Sequence, residues 1–501
     1  MLVDFLTKHR GIFVTLFVLP ISLLFKFYMG SRNRLVFWLN SAPDQHSQKV
    51  EKVQQQVKAW RQETGGSVPM CTARPGWQAM SLKQGNYKKT HYRVNVNLPD
   101  ILEIDPEKGT VHVEPMVSMG QITTALQPLG WTLAVVPELD ALTVGGLING
   151  FGIESSSHKY GLFQHICESF EIVTADGELH RCSQDENREL YYAIPWSYGS
   201  LGFLVGAEIK IVPAKNYVHL TYLPFHDKQE FIRRFQEESL RPFDEAYDFI
   251  EGLLFSEQEG VLMLGNFSER VPAGKKKNPI NYFWKPWFYE HVHSFLDVQQ
   301  PAEEWLPLRH YYHRHTRSLF WEMKEIIPFG NHPLFRYLVG WMSPPEISLL
   351  KLTETETIHE LYDAHHMDQD FLIPMSTLDR SLSFFHLEVD FYPLWLCPMR
   401  IPKTPLRGMV NPAGDEEMFV DVGIYGEPGI ANYQARGTTR KLEQYIRDIK
   451  GYQALYADTY QTREELRQMF DHTLLDKLRQ QYHAVEAFPE PYDKVSRAAR
   501  T

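Results

Sequence analysis

Ten consecutive residues carry the clearest chemical pattern in the chain. They are Thr143, Val144, Gly145, Gly146, Leu147, Ile148, Asn149, Gly150, Phe151 and Gly152. Glycines lack a Cβ atom, so backbone N–H groups in this segment can approach a diphosphate closely. A P-loop is excluded because the Lys-Ser/Thr ending is missing, and so is the GxGxxG dinucleotide motif. The segment predicts a phosphate-binding loop, although glycine-rich segments also form plain turns.

A second pattern is the run of ionisable side chains from His310 to Arg317, which contains three histidines and two tyrosines within six positions. Imidazole titrates near neutral pH, so His310 and His313 are candidate general acids. Metal ligation is the competing interpretation. No carboxylate-histidine motif accompanies the run, so we predict no metal. A polar helix face bonded to neighbouring backbone is the plain alternative.

The elements that position these residues come from a chain of 501 residues, long enough for two soluble domains and an appendage. The net charge of -11 repels phosphate backbones, so nucleic acid is not an expected partner. The four cysteines include no CxxC pair, which indicates a reducing compartment rather than a disulfide framework.

The amino terminus differs from the rest of the chain. Residues 11–28 are apolar with Lys26 as the only charge, a length close to that of a membrane span. A cleaved signal peptide and an interfacial helix broken at Pro20 are the alternatives. Lys26, Arg32 and Arg34 outnumber the basic residues before the span, which by the positive-inside rule leaves the body cytoplasmic. We therefore predict a single-pass anchor.

Helical and strand-like segments alternate after the anchor. Residues 47–64 are predicted to form a helix because apolar residues recur at helical spacing, namely Val50, Val53, Val57 and Trp60. Asp176-Gly177 predicts a hairpin turn, and a strand rich in β-branched residues closes the first domain near Pro213. The second half has strand-like stretches at 244–267, 391–402 and 416–426.

Two further segments flank the glycine loop, Ala73-Arg74-Pro75-Gly76-Trp77 before it and Tyr198-Gly199-Ser200-Leu201-Gly202 after it. This order resembles the vanillyl-alcohol-oxidase type of FAD-binding domain. Blocks such as CTARPGWQ, LRHYYHRHTRSLFWE and LYADTY resemble the Δ24-sterol reductase family more closely. The resemblance extends from the anchor to AFPEPYDK near the carboxyl terminus.

The resemblance implies an α+β fold with a two-lobed, PCMH-type FAD-binding domain, an α+β substrate (cap) domain and an N-terminal transmembrane helix. The implied division is an anchor at 1–40, the FAD-binding domain at 41–214, the cap domain at 215–455 and a segment at 456–501 that returns to the FAD domain. Besides the ten residues of the glycine loop, the implied FAD contacts are Ala73, Arg74, Pro75, Gly76, Trp77, Ile153, Glu154, Ser155, Ser156, Tyr160, Gly161, Gly199, Ser200 and Gly202.

The mode of FAD attachment also follows from the resemblance. Relatives that bind FAD covalently use a His or Cys in the first loop or the glycine loop. Those positions here are Trp, Gly and Ser, and Cys71 lies just outside. We therefore predict non-covalent, dissociable FAD.

The implied reaction is NADPH-driven reduction of the C24–C25 double bond in a sterol side chain, with hydride from the flavin and a proton from a protein acid. The candidate acids are Glu251, His310, His313 and Tyr460. A surface salt bridge is the alternative for Glu251. Trp395, Cys397 and Arg400 are predicted to line the substrate cavity, with ordinary packing as the alternative.

Two other functions stay open at this point. A flavin oxidase of the same fold would pass electrons to O₂, and a degenerate flavin fold would act only as a scaffold. The host membrane is predicted as endoplasmic reticulum in a eukaryote or inner membrane in a bacterium. The preferred sterol and the oligomeric state are not predicted.

Overall fold

The computed structural model describes residues 9–79, 86–298, 300–353, 362, 364–431 and 433–497. The fold is mixed helix and sheet, which confirms the predicted α+β class. Two main sheets organise the described part of the chain, one in each half.

The first half contains a six-stranded antiparallel sheet in which β8 occupies the centre, between β4 and β6. Its strands are β3 (Ile101–Asp105), β4 (Thr110–Val113), β5 (Trp131–Leu133), β6 (Cys167–Val173), β7 (Leu179–Ser183) and β8 (Phe203–Pro213). A small parallel pair, β1 (Met70–Thr72) and β2 (Tyr92–Val94), lies outside it. The hairpin predicted at Asp176-Gly177 is confirmed, because β6 and β7 pair around it and Gly177 has a φ of 79°.

Helices surround this sheet. They are α2 (His46–Thr64), α3 (Met119–Leu126), α4 (Val144–Asn149), α5 (Ser157–Tyr160) and α6 (Arg188–Ala193). The predicted helix over residues 47–64 is confirmed as α2, and its four predicted apolar residues are buried. It ends at Gly65, which adopts the left-handed conformation that glycine tolerates best.

The second half contains an eight-stranded sheet whose neighbouring strands are all antiparallel, in the order β12-β9-β11-β10-β14-β15-β13-β16. The strands are β9 (Tyr217–Phe225), β10 (Phe249–Leu254), β11 (Gly260–Ser268), β12 (Ala302–Pro307), β13 (Met367–Pro374), β14 (Leu394–Pro402), β15 (Glu416–Gly426) and β16 (Tyr452–Gln453). The predicted boundary at residue 214 lies between β8 and β9.

Helices cover one face of the large sheet, and the other face meets the first domain. The helices of this half are α7 (Lys228–Ser239), α8 (Phe288–His293), α9 (Leu308–Tyr312), α10 (Glu322–Ile326), α11 (Pro333–Leu338), α12 (Ile347–Thr353), α13 (Leu378–Glu388) and α14 (Ala435–Asp448). A Cβ at Gly252 would lie 2.8 Å from Phe231 of α7, so this face of β10 is covered by α7. Residues that alternate with Gly252, such as Glu251, point towards the first domain.

The carboxyl-terminal segment forms α15 (Arg463–Met469), α16 (Thr473–Gln481), α17 (Ala484–Ala487) and α18 (Pro491–Val495). Ala487 and Phe488 pack in a buried cluster with Phe203 and Val205 of β8. Arg479 donates to the Ser200 carbonyl at 2.6 Å. The chain thus contacts the first domain again after it leaves the large sheet.

The amino-terminal helix α1 (Arg10–Asn40) is the one helix in the described residues that is long and apolar enough to cross a membrane. Pro20 does not break it. A π-helical turn at Val14–Val18 precedes the proline, where the wider hydrogen-bonding pattern accommodates the missing N–H donor. Leu19 and Ser22 are buried against the body.

Candidate functional site

The glycine loop packs tightly against the segment that follows β4. The amides of Val144 and Gly145 donate to the carbonyls of Val117 and Pro115, both at 2.9 Å. A Cβ at position 145 would lie 2.9 Å from the Pro115 side chain. In this structure, therefore, the Gly145 amide predicted to face a diphosphate already has a backbone acceptor, and the absent Cβ allows close packing with Pro115.

Asn149 joins this loop to the loop at Gly199. Its amide nitrogen donates to the Gly145 carbonyl at 2.9 Å, and its side-chain oxygen accepts from the Gly199 amide at 2.8 Å. Tyr198 and Gly199 both have positive φ values, 53° and 67°. At Gly202 a Cβ would lie 2.4 Å from the Val173 carbonyl oxygen, so the chain passes very close to β6. The structure thus brings two of the three predicted loops together.

Buried cations connect the third predicted loop to these two. The Lys494 ammonium of α18 donates to the carbonyls of Tyr198 and Gly199 at 2.7 and 3.1 Å. The Lys88 ammonium donates to the Arg74 carbonyl at 2.6 Å. Burial, together with Arg479 nearby, lowers the pKa of Lys494 to about 7, and burial also lowers the pKa values of Arg74 and Lys88. The Cys71 thiol interacts with both lysines, so the two ends of the cluster are close.

This cation cluster, defined as Arg74, Lys88 and Lys494, fits an anionic cofactor. Buried cations whose pKa values are depressed are stabilised by an anion, and a diphosphate supplies that charge. Of the three, only Arg74 was among the predicted residues. Lys88 and Lys494 were missed because neither belongs to a glycine motif, although Lys494 lies within the AFPEPYDK block.

The segment after the glycine loop meets the large sheet. The Ile250 amide of β10 donates to the Ser155 carbonyl at 2.8 Å, and the Arg400 guanidinium donates to the His158 carbonyl at 3.0 Å. Ser155 and Ser156 hydrogen-bond with Tyr311 and the Ala134 carbonyl. Three further predicted residues are placed in the same region: Ile153, buried in the core; Tyr160, packed edge-on against Phe243; and Gly161, with a φ of 78°. Arg400 therefore links the two domains.

Glu251 lies at the centre of a buried charge network. The Arg314 guanidinium donates to both Glu251 oxygens and to Glu154, each at 2.7 Å. The Trp395 indole donates to Glu251 at 3.0 Å, and the His315 ring lies 3.3 Å away. Burial acts to raise the pKa of Glu251, but Arg314 and His315 outweigh it and hold the pKa well below its usual range. Glu251 is therefore ionised, and its role in this arrangement is to accept hydrogen bonds.

The histidine-rich run does not form one helical face. The helix α9 ends at Tyr312, and the turns that follow point successive side chains in different directions. The His310 ring accepts from the Asn281 amide at 3.1 Å, and the His313 ring lies 2.8 Å from the Glu138 carbonyl. Arg314 and His315 belong to the same run but were not named as candidate acids, and they are the members that reach Glu251. Tyr460 lies elsewhere, where Arg497 donates to its hydroxyl at 3.2 Å.

A second acidic group occupies the same face of the large sheet. The hydroxyls of Tyr425 and Tyr456 both donate to Asp370. The Asp421 carboxyl is fully buried, and no donor among the described residues faces it. The Asp421 carboxyl interacts with that of Asp370. Two adjacent buried carboxyl groups repel each other when both are ionised, and they are stable together when they share one proton.

The pKa values agree with a shared proton. Burial raises the pKa of Asp370 to about 7, although the hydrogen bonds from the two tyrosines act in the opposite direction. Burial, Asp370 and Glu138 raise the pKa of Asp421 well above its usual value. Burial and Glu154 raise the pKa of Glu138 to about 8. Tyr456 keeps 37% of its surface accessible, although its hydroxyl is hydrogen-bonded to the buried Asp370 carboxylate. Cys397, predicted to line a cavity, pairs with Asp421 on the neighbouring strand.

Within the described residues, two clusters have ligand atoms close enough for a metal, namely His46 with His112 and Glu171, and His366 with Glu322 and Asp368. In one, His46 lies 2.8 Å from Glu114 and 2.9 Å from Glu171. Burial acts to lower the pKa of His46, but the two carboxylates outweigh it and raise the pKa to about 9, so both ring nitrogens carry protons. In the other, His366 lies between Glu322 and Glu325, both at 3.0 Å. Both histidines are satisfied as ion-pair partners.

Known proteins resemble this chain at two levels, one domain in the amino-terminal half and nearly the full length. Residues 49–183 match the family model described as "FAD binding domain". The chain is 52% identical to Delta(24)-sterol reductase of Rattus norvegicus, over 99% of this chain and 95% of the relative. It is 44% identical to Delta(24)-sterol reductase homolog dhcr-24 of Caenorhabditis elegans, over 99% and 97%. It is 40% identical to Delta(24)-sterol reductase of Arabidopsis thaliana, over 100% and 93%. The chain therefore belongs to the Delta(24)-sterol reductase family, and its amino-terminal half carries the family's FAD-binding domain.

Proposed function

We propose that this protein reduces the C24–C25 double bond of a sterol side chain, with non-covalent FAD as cofactor and NADPH as reductant. The observation that carries the proposal is 52% identity over nearly the full length to proteins named for this reduction. The buried cations Arg74, Lys88 and Lys494 support it because they offer charge to a diphosphate beside two glycine loops.

The chain's own residues have two proposed tasks in this reaction, to supply a proton and to keep the surrounding side chains in position. When bound, FAD supplies the hydride chemistry that links NADPH to an alkene. An isolated alkene also requires a proton at its second carbon, and that proton must come from the protein or from water. Glu251 is a poor source because Arg314 keeps it ionised. Its proposed task is to hold the buried side chains of Trp395 and His315 in position.

We assign the proton to the pair Asp370 and Asp421, with Tyr456 as the group that transfers it. The pair can hold one proton near neutral pH, and the Tyr456 hydroxyl is hydrogen-bonded to Asp370 while the residue stays 37% exposed. In the transfer, the Tyr456 hydroxyl turns from Asp370 to the alkene carbon and gives up its proton, and the carboxyl pair then gives its shared proton to the phenolate oxygen. His310, His313 and Tyr460 contact other parts of the structure.

We further propose that the protein acts at a membrane, where sterols dissolve. The apolar helix α1 supports this association. The cytoplasmic position of the body, and endoplasmic reticulum as the host membrane of a eukaryotic protein, stay predictions.

The test is a two-step spectroscopic experiment on the detergent-purified protein. We expect a yellow protein whose visible flavin absorbance bleaches when NADPH is added without oxygen. Addition of a sterol with a side-chain double bond should restore the colour and yield the saturated side chain. A sterol with a saturated side chain is the control and should restore nothing. Recovery only on admission of oxygen, with release of peroxide, would identify an oxidase instead.

Non-covalent attachment is tested on the same sample. After denaturation and filtration, the flavin should appear in the filtrate. Flavin that stays with the polypeptide would contradict the prediction.

A further inference from the structure

Both ends of α1 are attached to the same body. At its beginning, Arg10 forms an ion pair with Glu427 at 3.1 Å, and a Cβ at Gly11 would lie 2.9 Å from the Phe329 ring. Two residues after its end, the Ala42 amide donates to Asp100 at 2.8 Å. The 31 residues of the helix span about 46 Å, more than the hydrocarbon core of about 30 Å. A helix held at both ends by one body cannot also leave that body and cross a bilayer.

Contacts along the length of α1 keep it against the body. The Ser22 hydroxyl accepts from the Glu346 amide at 2.6 Å, and the Lys26 ammonium lies 3.2 Å from the Glu346 carboxylate. The Phe25 ring lies 6.3 Å from the ring of Trp77. The segment predicted to span the membrane is thus the segment that docks.

The opposite side of α1 is an unpartnered apolar surface. Leu16, Phe17, Ile21, Leu24 and Phe27 are each 54 to 77% exposed. In water such a stripe is unfavourable, and it has the composition of a surface that faces lipid acyl chains.

A second apolar surface continues this one. On α11 and the turn after it, Leu334, Tyr337, Leu338 and Trp341 are 67, 64, 71 and 52% exposed. The turn Gly340–Met342 packs against α1, so the two surfaces are adjacent. Tyr and Trp beside exposed leucines are typical of the boundary between headgroups and acyl chains.

We propose that α1 lies in the plane of one leaflet and that the protein is monotopic. The membrane platform, defined as the outer side of α1 together with Leu334, Tyr337, Leu338 and Trp341, binds the lipid bilayer. This arrangement replaces the single crossing predicted from the sequence. It does not depend on the reductase reaction, since it follows from where α1 is attached.

The first test compares the two ends of the full-length, FAD-loaded protein in mammalian cells. An Asn-x-Ser/Thr acceptor on a flexible linker is added before residue 1 in one version and after residue 501 in another. We expect either both acceptors or neither acceptor to be glycosylated, because the proposal puts both ends of the chain on one side of the membrane. Glycosylation at only one end would overturn the proposal. The same acceptor on a terminus known to be translocated is the positive control.

The second test removes the apolar character of the platform outside α1. The triple variant Leu334→Glu, Leu338→Glu, Trp341→Glu should bind phosphatidylcholine vesicles about tenfold more weakly than the unmodified protein and keep its FAD content. The matched control is Leu240→Glu, Leu387→Glu, Val485→Glu, which changes side chains that are 58, 75 and 55% exposed elsewhere. It should bind vesicles normally.

Unchanged vesicle binding by the platform variant would overturn the proposal. A second copy of the chain is the other possible occupant of this surface. In that case the platform variant would change the oligomeric state in detergent and leave vesicle binding intact.

Discussion

At the scale of single residues, Arg314 neutralises two buried carboxylates. Its guanidinium satisfies Glu251 and Glu154, and all three side chains are almost fully buried. Removal of the cation leaves two carboxylates in a medium that solvates charge poorly.

We therefore expect Arg314→Met to lower the free energy of unfolding by about 3–5 kcal/mol, measured by urea denaturation of the FAD-loaded protein. Arg233→Ala is the control, because that side chain is exposed and its ion pair with Glu237 lies at the surface. It should cost less than about 1 kcal/mol. Equal effects of the two substitutions would show that the buried network contributes little to stability.

Asp370 tests the proposed proton source. Asp370→Asn should slow sterol reduction by about 10²- to 10⁴-fold, the usual contribution of a general acid, while flavin bleaching by NADPH keeps its rate. The measurement is stopped-flow absorbance under anaerobic conditions. Tyr445→Phe is the control, because Tyr445 bonds Ser381 among the helices on the other face of the sheet. If both half-reactions slowed equally, the carboxyl would be acting on the flavin site as a whole.

The pH dependence of the same half-reaction has a defined sign. The pKa of Asp370 is raised to about 7, so the pair holds its proton below that pH and loses it above. The rate of sterol reduction should fall as the pH rises through about 7, and the apparent midpoint belongs to the pair. Because the folded state binds this proton more tightly than the unfolded chain, the pair also lowers the free energy of unfolding as the pH rises from about 4 to about 7.

At the scale of elements, α18 brings a residue from the far end of the chain to the proposed cofactor site. The helix brings Lys494 to the carbonyls of Tyr198 and Gly199, and a charged hydrogen bond is worth about 1.5–3 kcal/mol. Lys494→Met should therefore raise the Kd for FAD by about 10- to 100-fold, measured by titration of the flavin-free protein.

Lys477→Met on α16 is the matched control, because Lys477 pairs with Glu189 at the surface. It should leave the Kd for FAD unchanged. An unaltered Kd in Lys494→Met would place the diphosphate away from the cation cluster.

At the scale of the whole molecule, the proposed FAD site joins parts of the chain that lie far apart in sequence. Hydrogen bonds join α18 to the loop at Gly199, and join the segment after the glycine loop to the large sheet. A ligand that binds only the folded state stabilises it by mass action. FAD at 100 times its Kd should therefore raise the free energy of unfolding by about 2.7 kcal/mol, measured by urea denaturation with and without added FAD. FMN, which lacks the diphosphate, is the control and should stabilise the protein less.

The sequence by itself determined the local elements and the identity of the cofactor domain. The periodicity of Val50, Val53, Val57 and Trp60 was enough for α2, and Asp176-Gly177 was enough for the β6–β7 hairpin. The helix and the hairpin both depend on residues within a few positions of one another, so the local sequence is enough to predict them. The glycine loop indicated a phosphate-binding segment for the same reason, and the resemblance to Δ24-sterol reductases, which extends along the chain, indicated FAD.

Only the tertiary structure decided which side chains meet. Lys494 lies 295 positions from Gly199, and Arg314 lies 160 positions from Glu154, so no spacing in the sequence relates them. Asp370 and Asp421 carried no motif, and they became adjacent through the pairing of β13 with β15. Likewise, the apolar length of residues 11–28 indicates a membrane, but only the contacts at both ends of α1 show how the helix lies against the body. Burial and long-range pairing decide the protonation states of these side chains, and both are properties of the packed chain.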